Sequence, residues 1–506
     1  MSIEKDGTII INEWNKGIEE SAYIGNGDIR FCNTDEFGSL QVGRKFVEDD
    51  ENTTDEVTGK IIEFEKVANG KTFTLAGLDD NQELYTKIDS TGKWNKVAGY
   101  SQNGRGGGLK FWKDYLFIFR DSPVAEDTRI DLYGPVSTGA SLTADWQTLS
   151  SSKNVKVASE VGNSDILYMG YDNLVASLEE VAGETFDPTD TDTYEFTQER
   201  LVLPEDYTVS HLEEMGEFIM VGTNSDSGQS SKVFPWDKLS LESETPIKVT
   251  GGKIGQMTVW LNTLFIRTGR YGDIYAFTGS SFNLFKQIPR TLGVVSLLST
   301  IDTKTRNGMT VYEDRLVFTS GIRSNDGNLS VVFSLDTNKS LQIAYKSSND
   351  NVSSASTLPN TELGALFADY SNVVNSARND LLMGWQLQDS TDDFGIDILE
   401  QSSSYYDNYD SNFVSQFYRV GTSLVKKTFH EVDFILSENL ATGDNIKLEF
   451  RTTINGSWTT GAEMKFADQG AVSEYTSPSS ITSDLTNIQF RVSLDGTPKG
   501  LEIRIK

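Results

Sequence analysis

Residues 255–289 read GQMTVWLNTLFIRTGRYGDIYAFTGSSFNLFKQIP. The stretch holds four short runs rich in β-branched and aromatic residues, at 257–260, 264–267, 274–277 and 283–288. Turn-forming residues such as Asn262 and Gly272 separate the runs. No run is long enough for a helix, and the connections are too short for crossover helices. The stretch therefore predicts a small antiparallel meander, which needs neighbours of the same kind because it cannot bury both of its faces alone.

The same pattern recurs through the middle of the chain. The strand that follows a short turn in each copy has equivalent positions at Leu116, Leu167, Phe218, Leu264, Leu316 and Leu381. These positions are 51, 51, 46, 52 and 65 residues apart, and a more degenerate copy lies at residues 73–75. A repeat near 50 residues with four short strands is typical of β-propeller blades. A solenoid is the alternative, although solenoid repeats usually run about 20–45 residues.

After residue 402 the strands become longer and alternate between apolar and polar side chains, as at residues 447–453 and 489–494. Such alternation is typical of half-buried sandwich strands. We therefore predict an all-β chain in three parts. These are an N-terminal arm or closing segment at 1–56, a β-propeller of about seven four-stranded blades at 57–402, and a C-terminal β-sandwich at 403–506. Six blades with a divergent extra sheet is the alternative count.

Composition limits the classes of function. Lys and Arg total 44 against 74 Asp and Glu, so the formal net charge is −30. A surface this acidic repels phosphate backbones, which argues against general nucleic-acid binding and leaves room only for a locally basic patch. Cys32 is alone, so the chain cannot form an internal disulfide. The first thirty residues contain no secretory signal and no run of 18 apolar residues occurs, which predicts synthesis in a reducing cytoplasm.

Few residues suggest chemistry. The two histidines, His211 and His430, lie in different predicted domains, so a zinc site built on several imidazoles is excluded. His211 is the one candidate base for a Ser-His-Asp triad, but no nucleophile elbow accompanies it, and we interpret it as a packed or rim histidine. The glycine-rich run at 104–108 lacks the ending of a phosphate-binding loop and is interpreted as a blade linker.

Acidic residues allow two further interpretations. Asp187, Asp190 and Asp192 could offer oxygen ligands to calcium, but the full twelve-residue loop pattern is missing, so we predict a solvated acidic insertion. Residues 89–94 resemble one Asp-box turn of sialidases, and a hairpin turn with a packed Trp94 is the preferred interpretation. Paired carboxylates for a glycosidase cannot be singled out among 74 acidic residues. We therefore predict no catalytic residues, no cofactor and no metal.

Several motifs resemble one known group. They are WNKGI and GNGDIR at 14–18 and 25–30, KFWKDYLFIFR at 110–120, RIDLYGP at 129–135, LPEDY at 203–207, GDIYAFTG at 272–279 and FYRVGT at 417–422. Together they resemble the propeller-bearing structural proteins of tailed bacteriophages. The resemblance spans most of the chain, but its motifs are structural and supply no catalytic residues.

The resemblance implies a non-enzymatic component of the virion tail, at the hub or nozzle, made in the host cytoplasm. Its expected partners are other virion tail proteins and further copies of the chain in a ring, with transient contact to viral DNA or a host surface glycan. The alternatives are a receptor- or glycan-binding adhesin on the tail and a glycan hydrolase. We expect the contacts on insertions at 186–196 and 347–359, the N-terminal arm and the sandwich, and we hypothesise that an acidic channel wall reduces the sticking of DNA.

Overall fold

The computed structural model describes most of the chain. The described residues are 2–3, 9–11, 28–30, 32–34, 40–42, 44–49, 56–67, 73–88, 92–97, 105–121, 127–150, 159–162, 165–225, 227, 230–269, 271–289, 307–324, 327–349, 361–373, 376–387, 393–399, 411–419, 428–453, 456–482, 487–496 and 498–506. The motif at 14–18, residue Asp89 and most of the 347–359 insertion lie outside them. No helix among the described residues is long and apolar enough to cross a membrane.

The N-terminal segment contributes short strands. They are β1 (Ser2–Ile3), β2 (Ile9–Ile11), β3 (Asp28–Arg30), β4 (Cys32–Thr34), β5 (Leu40–Val42) and β6 (Val47–Glu48). β4 and β5 pair only with each other among the described residues, whereas β1, β2, β3 and β6 join larger sheets formed by later parts of the chain.

Antiparallel units of four strands follow. Blades 1 to 3 are β7 (Ile61–Lys66), β8 (Leu75–Asp79), β9 (Leu84–Lys87) and β10 (Asn95–Lys96); β11 (Arg105–Trp112), β12 (Tyr115–Asp121), β13 (Asp127–Gly134) and β14 (Ser141–Ser150); and β15 (Ser159–Gly162), β16 (Ile166–Tyr171), β17 (Leu174–Glu180) and β18 (Tyr194–Val202). Blades 4 and 5 are β19 (Tyr207–Met215), β20 (Phe218–Ser225), β21 (Ser231–Trp236) and β22 (Ile247–Val249); and β23 (Ile254–Trp260), β24 (Thr263–Thr268), β25 (Asp273–Phe277) and β26 (Phe282–Lys286). Blade 6 is β27 (Met309–Tyr312), β28 (Arg315–Ser324), β29 (Gly327–Leu335) and β30 (Leu341–Lys346), and blade 7 is β31 (Thr361–Val373), β32 (Ser376–Leu387) and β33 (Asp393–Leu399) with β6.

The first strand of each blade lies innermost. In the described residues these innermost strands contact one another in chain order, and β31 of blade 7 contacts β7 of blade 1, so the ring closes. The remaining strands are β34 (Ser411–Arg419), β35 (Thr428–Ile435), β36 (Asn445–Arg451), β37 (Thr459–Lys465), β38 (Glu474–Thr482), β39 (Asn487–Asp495) and β40 (Glu502–Ile505), with one short helix, α1 (Phe466–Gln469). They form two sheets around a shared core. The predicted all-β fold, a propeller with a C-terminal sandwich, is confirmed.

The second strands of the blades carry continuous apolar runs because both faces of these strands are buried between neighbouring blades. In β12, Phe117 and Phe119 pack toward blade 3, whereas Leu116 and Ile118 pack toward blade 1, and all four are fully buried. Each such side chain contributes about 1.5–3 kcal/mol relative to an exposed one. A strand with one exposed face would alternate apolar and polar residues. The unbroken apolar run of β12 therefore reflects the packing of a neighbouring blade on each face.

Tight turns fix the register of the inner hairpins. Lys113 and Asp114 both have positive φ, and so do the corresponding turn residues of blades 5 and 6. Two residues with positive φ form a type I′ turn, whose twist matches that of the flanking strands. In blade 4 the turn pairs Met215 with Phe218, so Ile219, and not Phe218 as the spacing predicted, is equivalent to Leu116.

The predicted glycine linker at 104–108 is wrong for its described residues. Residues 105–108 lie in β11, the innermost strand of blade 2, where the pairing with β12 shifts between Gly106 and Gly108. Similar shifts occur in the innermost strands of blades 1, 4, 5 and 7. Glycine accommodates such a bulge at little steric cost. The run therefore belongs to a blade and not to a joint between blades.

The N-terminal segment closes the ring. Strand β6 pairs antiparallel with β33 and supplies the outermost strand of blade 7. Just before it, Phe46 packs edge-on against Tyr345 of blade 6 at a centroid distance of 5.6 Å. Just after it, the carboxylate of Asp49 accepts hydrogen bonds from Lys87 Nζ (2.7 and 2.6 Å) and Trp94 Nε1 (2.8 Å) of blade 1. The four residues 46–49 thus connect three blades across the seam.

The seam between blades 7 and 1 also requires close backbone approach. A Cβ on Gly364 would lie 2.1 Å from the carbonyl oxygen of Ile61, so only glycine fits there. Lys60 forms an ion pair with Glu362, and Lys66 Nζ lies 2.6 Å from Asp369 Oδ1. Charge pairing and glycine packing therefore hold the first and last inner strands together.

The same N-terminal segment enters the sandwich. Strand β2 pairs antiparallel with β40, placing Ile9 opposite Ile505. Strand β3 pairs with β34 and, in parallel, with β30 of blade 6, which produces one nine-stranded sheet from blade 6 to β37. One hydrophobic core extends from Trp260 in blade 5 to Phe490 in the sandwich. The boundaries near residues 56 and 402 stay a prediction, and strands from the first 56 residues are shared between both parts.

Replacing Asp49 tests the closure. The Asp49→Ala variant leaves the ammonium group of Lys87, 1% exposed, buried without its carboxylate. Removing one partner of a buried ion pair costs about 3–5 kcal/mol, so we expect a decrease of that size in the free energy of unfolding measured with denaturant. Glu438→Ala, which removes an exposed pair with Lys499, is the control and should cost under about 1 kcal/mol. Equal losses in the two variants would contradict the role of Asp49 in closure.

Candidate functional site at the propeller axis

One residue from each innermost strand lies at the same level of the ring, as the strand registers show. The members with described side chains, called the axis ring here, are Glu65 (opposite Ala76), Lys110 (opposite Phe117), Glu213 (opposite Met220), Thr258 (opposite Phe265), Thr310 (opposite Val317) and Ala368 (opposite Leu381). Three of the six are ionisable.

The three ionisable members face the shared axis. The positive charge of Lys110 in blade 2 acts on Glu213 in blade 4, although blade 3 lies between the two sheets. Such proximity requires both side chains to project toward the centre of the ring. Lys110 Nζ also lies 3.4 Å from Glu65 Oε1, which accepts a hydrogen bond from the backbone N–H of Phe111 (3.1 Å).

Burial controls the protonation of both carboxyl groups. Desolvation raises the pKa of Glu213 to about 8, and the charge of Lys110 only partly opposes it. Desolvation also raises the pKa of Glu65, against the opposing effects of Lys110 and the Phe111 N–H. The surface of Glu213 is only half-buried, but the surrounding blades still limit its hydration. At neutral pH Glu213 is therefore largely a neutral acid.

A neutral carboxyl group within the electrostatic reach of an ammonium group can donate a proton or a hydrogen bond. These residues were not singled out from the sequence. The sequence feature that could have identified them is the presence of charged residues in the innermost strands β7 and β19, which read IIEFEK and YTVSHLEEM. Recognising that they converge required the closed ring, which sequence spacing does not provide.

The histidines do not form a joint site. His211 lies buried in β19, with Nδ1 3.1 Å from Ser210 Oγ, and His430 lies exposed in β35 of the sandwich. Among the described residues, no group of three or more His, Cys, Asp or Glu side chains could hold a metal ion. The prediction that catalytic residues and cofactors are absent stays a prediction.

The insertion at 186–196 packs inward through its first residue. Phe186 is buried, with its ring centroid 5.3 Å from that of Trp112 and 5.5 Å from that of Tyr115, both in blade 2. Its backbone N–H donates to Glu180 Oε2, and Glu180 Oε1 lies 3.1 Å from Lys113 Nζ. The insertion therefore joins blades 2 and 3 as well as exposing polar groups.

The acidic residues of the insertion form local turns. Asp187 Oδ1 accepts hydrogen bonds from the backbone and hydroxyl groups of Thr189, at 2.9 and 2.7 Å. Asp190 caps the short 3-10 helix Thr191–Thr193 by accepting from the backbone N–H of Asp192 (3.1 Å). Both carboxylates are exposed, as is that of Asp192. The arrangement agrees with a solvated acidic insertion.

Truncating Phe186 tests the packing of the insertion. Phe186→Ala removes a ring buried between two blades, and large-to-small changes of this kind cost about 3–5 kcal/mol. We expect a matching decrease in the free energy of unfolding in denaturant. Val181→Ala, at a position 38% exposed in the same loop, is the control and should change stability little. Similar small changes in both variants would show that the insertion does not join the blades.

The pKa of Glu213 predicts a pH dependence. A pKa raised to about 8 in the folded chain stabilises the fold below the ordinary glutamate pKa of 4.5, and this contribution is lost as pH rises through about 8. Stability should therefore fall between pH 7 and 8 by up to about 1.4 kcal/mol per pH unit.

Asp79 and Asp397 have pKa values raised by burial to about 7, so they contribute mainly at lower pH. Denaturant unfolding at pH 7, 7.5 and 8 should show a flatter dependence in Glu213→Gln than in the unchanged chain. Glu217→Gln, at the exposed turn of the same hairpin, should retain the full dependence. Parallel pH profiles for all three proteins would contradict the raised pKa.

Several solved structures match the chain at low identity and low TM-score. No family model matches the chain, and no curated protein does. A chain in the crystal structure of the mitotic checkpoint complex matches with 11% identity and a TM-score of 0.41 over 71% of this chain and 94% of that chain. BamB from Moraxella catarrhalis matches with 12% identity and a TM-score of 0.37 over 79% and 100%. An exo-beta-1,3-galactanase from Phanerochaete chrysosporium matches with 9% identity and a TM-score of 0.29 over 92% and 100%. At these scores the fold rests on the strand topology, and no function is transferred.

Proposed function

We propose that the chain is a non-enzymatic structural component of a bacteriophage virion tail, at the hub or nozzle. The observation that carries the proposal is the distribution of the N-terminal strands, because β2 and β3 join the sandwich while β6 closes the propeller. The resemblance of motifs such as those at 110–120 and 272–279 to tail proteins supplies the biological setting.

The geometry suits a part that transmits force. Domains joined by a linker move relative to one another by default. Here a nine-stranded sheet and a common hydrophobic core join blade 6 to the sandwich. Hydrogen-bonded ladders and buried apolar contacts must break before the two parts separate, so the chain behaves as one stiff body in an assembly.

The surface chemistry fits protein partners. Exposed carboxylates lie in described turns at the end of the ring where the inner hairpins close, including Glu184, Asp190, Glu217, Glu242 and Glu244. Acidic turns of this kind favour basic surfaces on neighbouring tail proteins or on further copies in a ring.

The hypothesis of an acidic channel wall is not supported by the described residues. At the axis ring Lys110 accompanies Glu65 and Glu213, and burial raises the pKa of both carboxyl groups toward the neutral form.

Two alternatives retain specific support. A tail-borne adhesin is favoured by an arginine–tryptophan cluster on the sandwich, described below. A glycan hydrolase is favoured only by the carboxyl group of Glu213, which burial keeps neutral, because glycoside hydrolysis uses such a group as its general acid. Release of reducing ends from host polysaccharide by the purified protein, lost in Glu213→Gln, would replace the structural proposal with the hydrolase.

The proposal implies that a phage genome encodes the chain, and deleting the gene from that genome tests it. We expect incomplete tails by electron microscopy, and density for the propeller and sandwich at the distal tail of intact virions. Complete tails that fail to adsorb would instead indicate the adhesin. Absence of the chain from purified virions by mass spectrometry would overturn both virion roles.

A further inference from the structure

A cluster of two arginines and one tryptophan lies on the outward face of the sandwich. In β36 and β39 the side chains of Leu448, Phe450, Phe490 and Val492 face the core, so the alternate residues face outward. Outward-facing Arg451 and Arg491 are diagonal neighbours across the two strands. The indole ring of Trp458 lies over both, with its centroid 4.4 Å from the Arg451 guanidinium carbon and 4.8 Å from that of Arg491.

Buried polar groups hold both arginines in place. Arg451 Nε donates to Gln489 Oε1 (2.7 Å), and Gln489 Nε2 donates to the carbonyl oxygen of Ser415 (2.6 Å). Arg491 Nε donates to Glu449 Oε2 (2.6 Å), and Gln489 and Glu449 are 6% and 5% exposed. Hydrogen bonds through Nε fix the inner edge of each guanidinium group. The cluster is therefore preorganised and not a chance contact of flexible surface side chains.

The charge of the cluster is opposite to that of the chain. Among the described residues of this cluster, Arg491 Nε and Lys447 Nζ lie 2.6 and 3.2 Å from the carboxylate of Glu449, and Arg451 adds a second guanidinium group. Burial alone would raise the pKa of Glu449, but the hydrogen bonds and charges of Arg491 and Lys447 lower it, so the carboxylate stays ionised. A net positive site thus persists on a chain with a formal charge of −30.

We propose that the Arg451–Trp458–Arg491 cluster binds an acidic saccharide, one carrying a carboxylate or a sulfate group. Guanidinium groups pair with such anions through parallel hydrogen bonds. The partly exposed indole ring offers an apolar surface for the C–H face of a sugar ring. A short saccharide touches only the cluster, whereas a nucleic acid would extend across the surrounding acidic surface and be repelled. The proposal does not depend on a tail location.

A glycan array with the full-length protein tests the proposal. It carries sialylated or uronic-acid oligosaccharides, sulfated oligosaccharides and their neutral counterparts, so that carboxylate and sulfate are distinguished. We expect binding to at least one acidic set, little binding to neutral sugars, and weaker binding at higher salt because the contact is partly exposed. Trp458→Ala and Arg451→Gln should each reduce affinity by about tenfold or more in calorimetry.

The matched control is Arg504→Gln, which removes an exposed arginine from the other sheet of the sandwich and should leave affinity unchanged. Thermal melting of each variant shows whether it folds, and the salt dependence of the unchanged protein serves as a second readout if one does not. The proposal is overturned by no acidic-saccharide binding at millimolar concentration, by equal binding of neutral sugars, by full affinity in folded Trp458→Ala, or by tighter binding of a single-stranded oligonucleotide.

Discussion

Everything in this fold depends on closing a ring whose ends are distant in sequence. Blades 7 and 1 are not consecutive in the sequence. Their seam is held by a buried ion pair, a close glycine contact and strand β6, which the N-terminal segment supplies to blade 7. The carboxylate of Asp49 meets both Lys87 and Trp94, so the desolvation of two charges is offset by three hydrogen bonds. Without closure of this seam the ring would be an open stack of sheets with two unprotected ends.

The antiparallel meander and its repetition could be predicted from the sequence, because the strands of a blade are short runs of β-branched and aromatic residues separated by turn residues. The four runs at 257–260, 264–267, 274–277 and 283–288 overlap β23, β24, β25 and β26. The closing strand could not be predicted in this way, since β6 has only two residues and its identity depends on pairing with β33. The linker interpretation of 104–108 failed because glycine marks bulges as well as loops.

For the two candidate sites, the sequence likewise predicts the strands but not which of their residues become neighbours. Glu65, Lys110 and Glu213 belong to three different blades, so nothing in their local sequence indicates that they converge. Arg451 and Arg491 look like ordinary outward residues of alternating strands. They become neighbours only through the register of β36 with β39, and Trp458 then lies over both guanidinium groups. Local composition predicted the scaffold, and long-range pairing determined the chemistry.

The shared N-terminal strands also constrain how the chain is made. Glu48 pairs with Asp397 and Ile9 with Ile505, sequence separations of roughly 350 and 500 residues. Because synthesis runs from the N-terminus, the first strands leave the ribosome long before their partners exist. Individual blades can form during translation, but the propeller is complete only after β33 has emerged and the sandwich only after β40 has emerged. The N-terminal strands β2 and β6 therefore pair only late, although they are synthesised early.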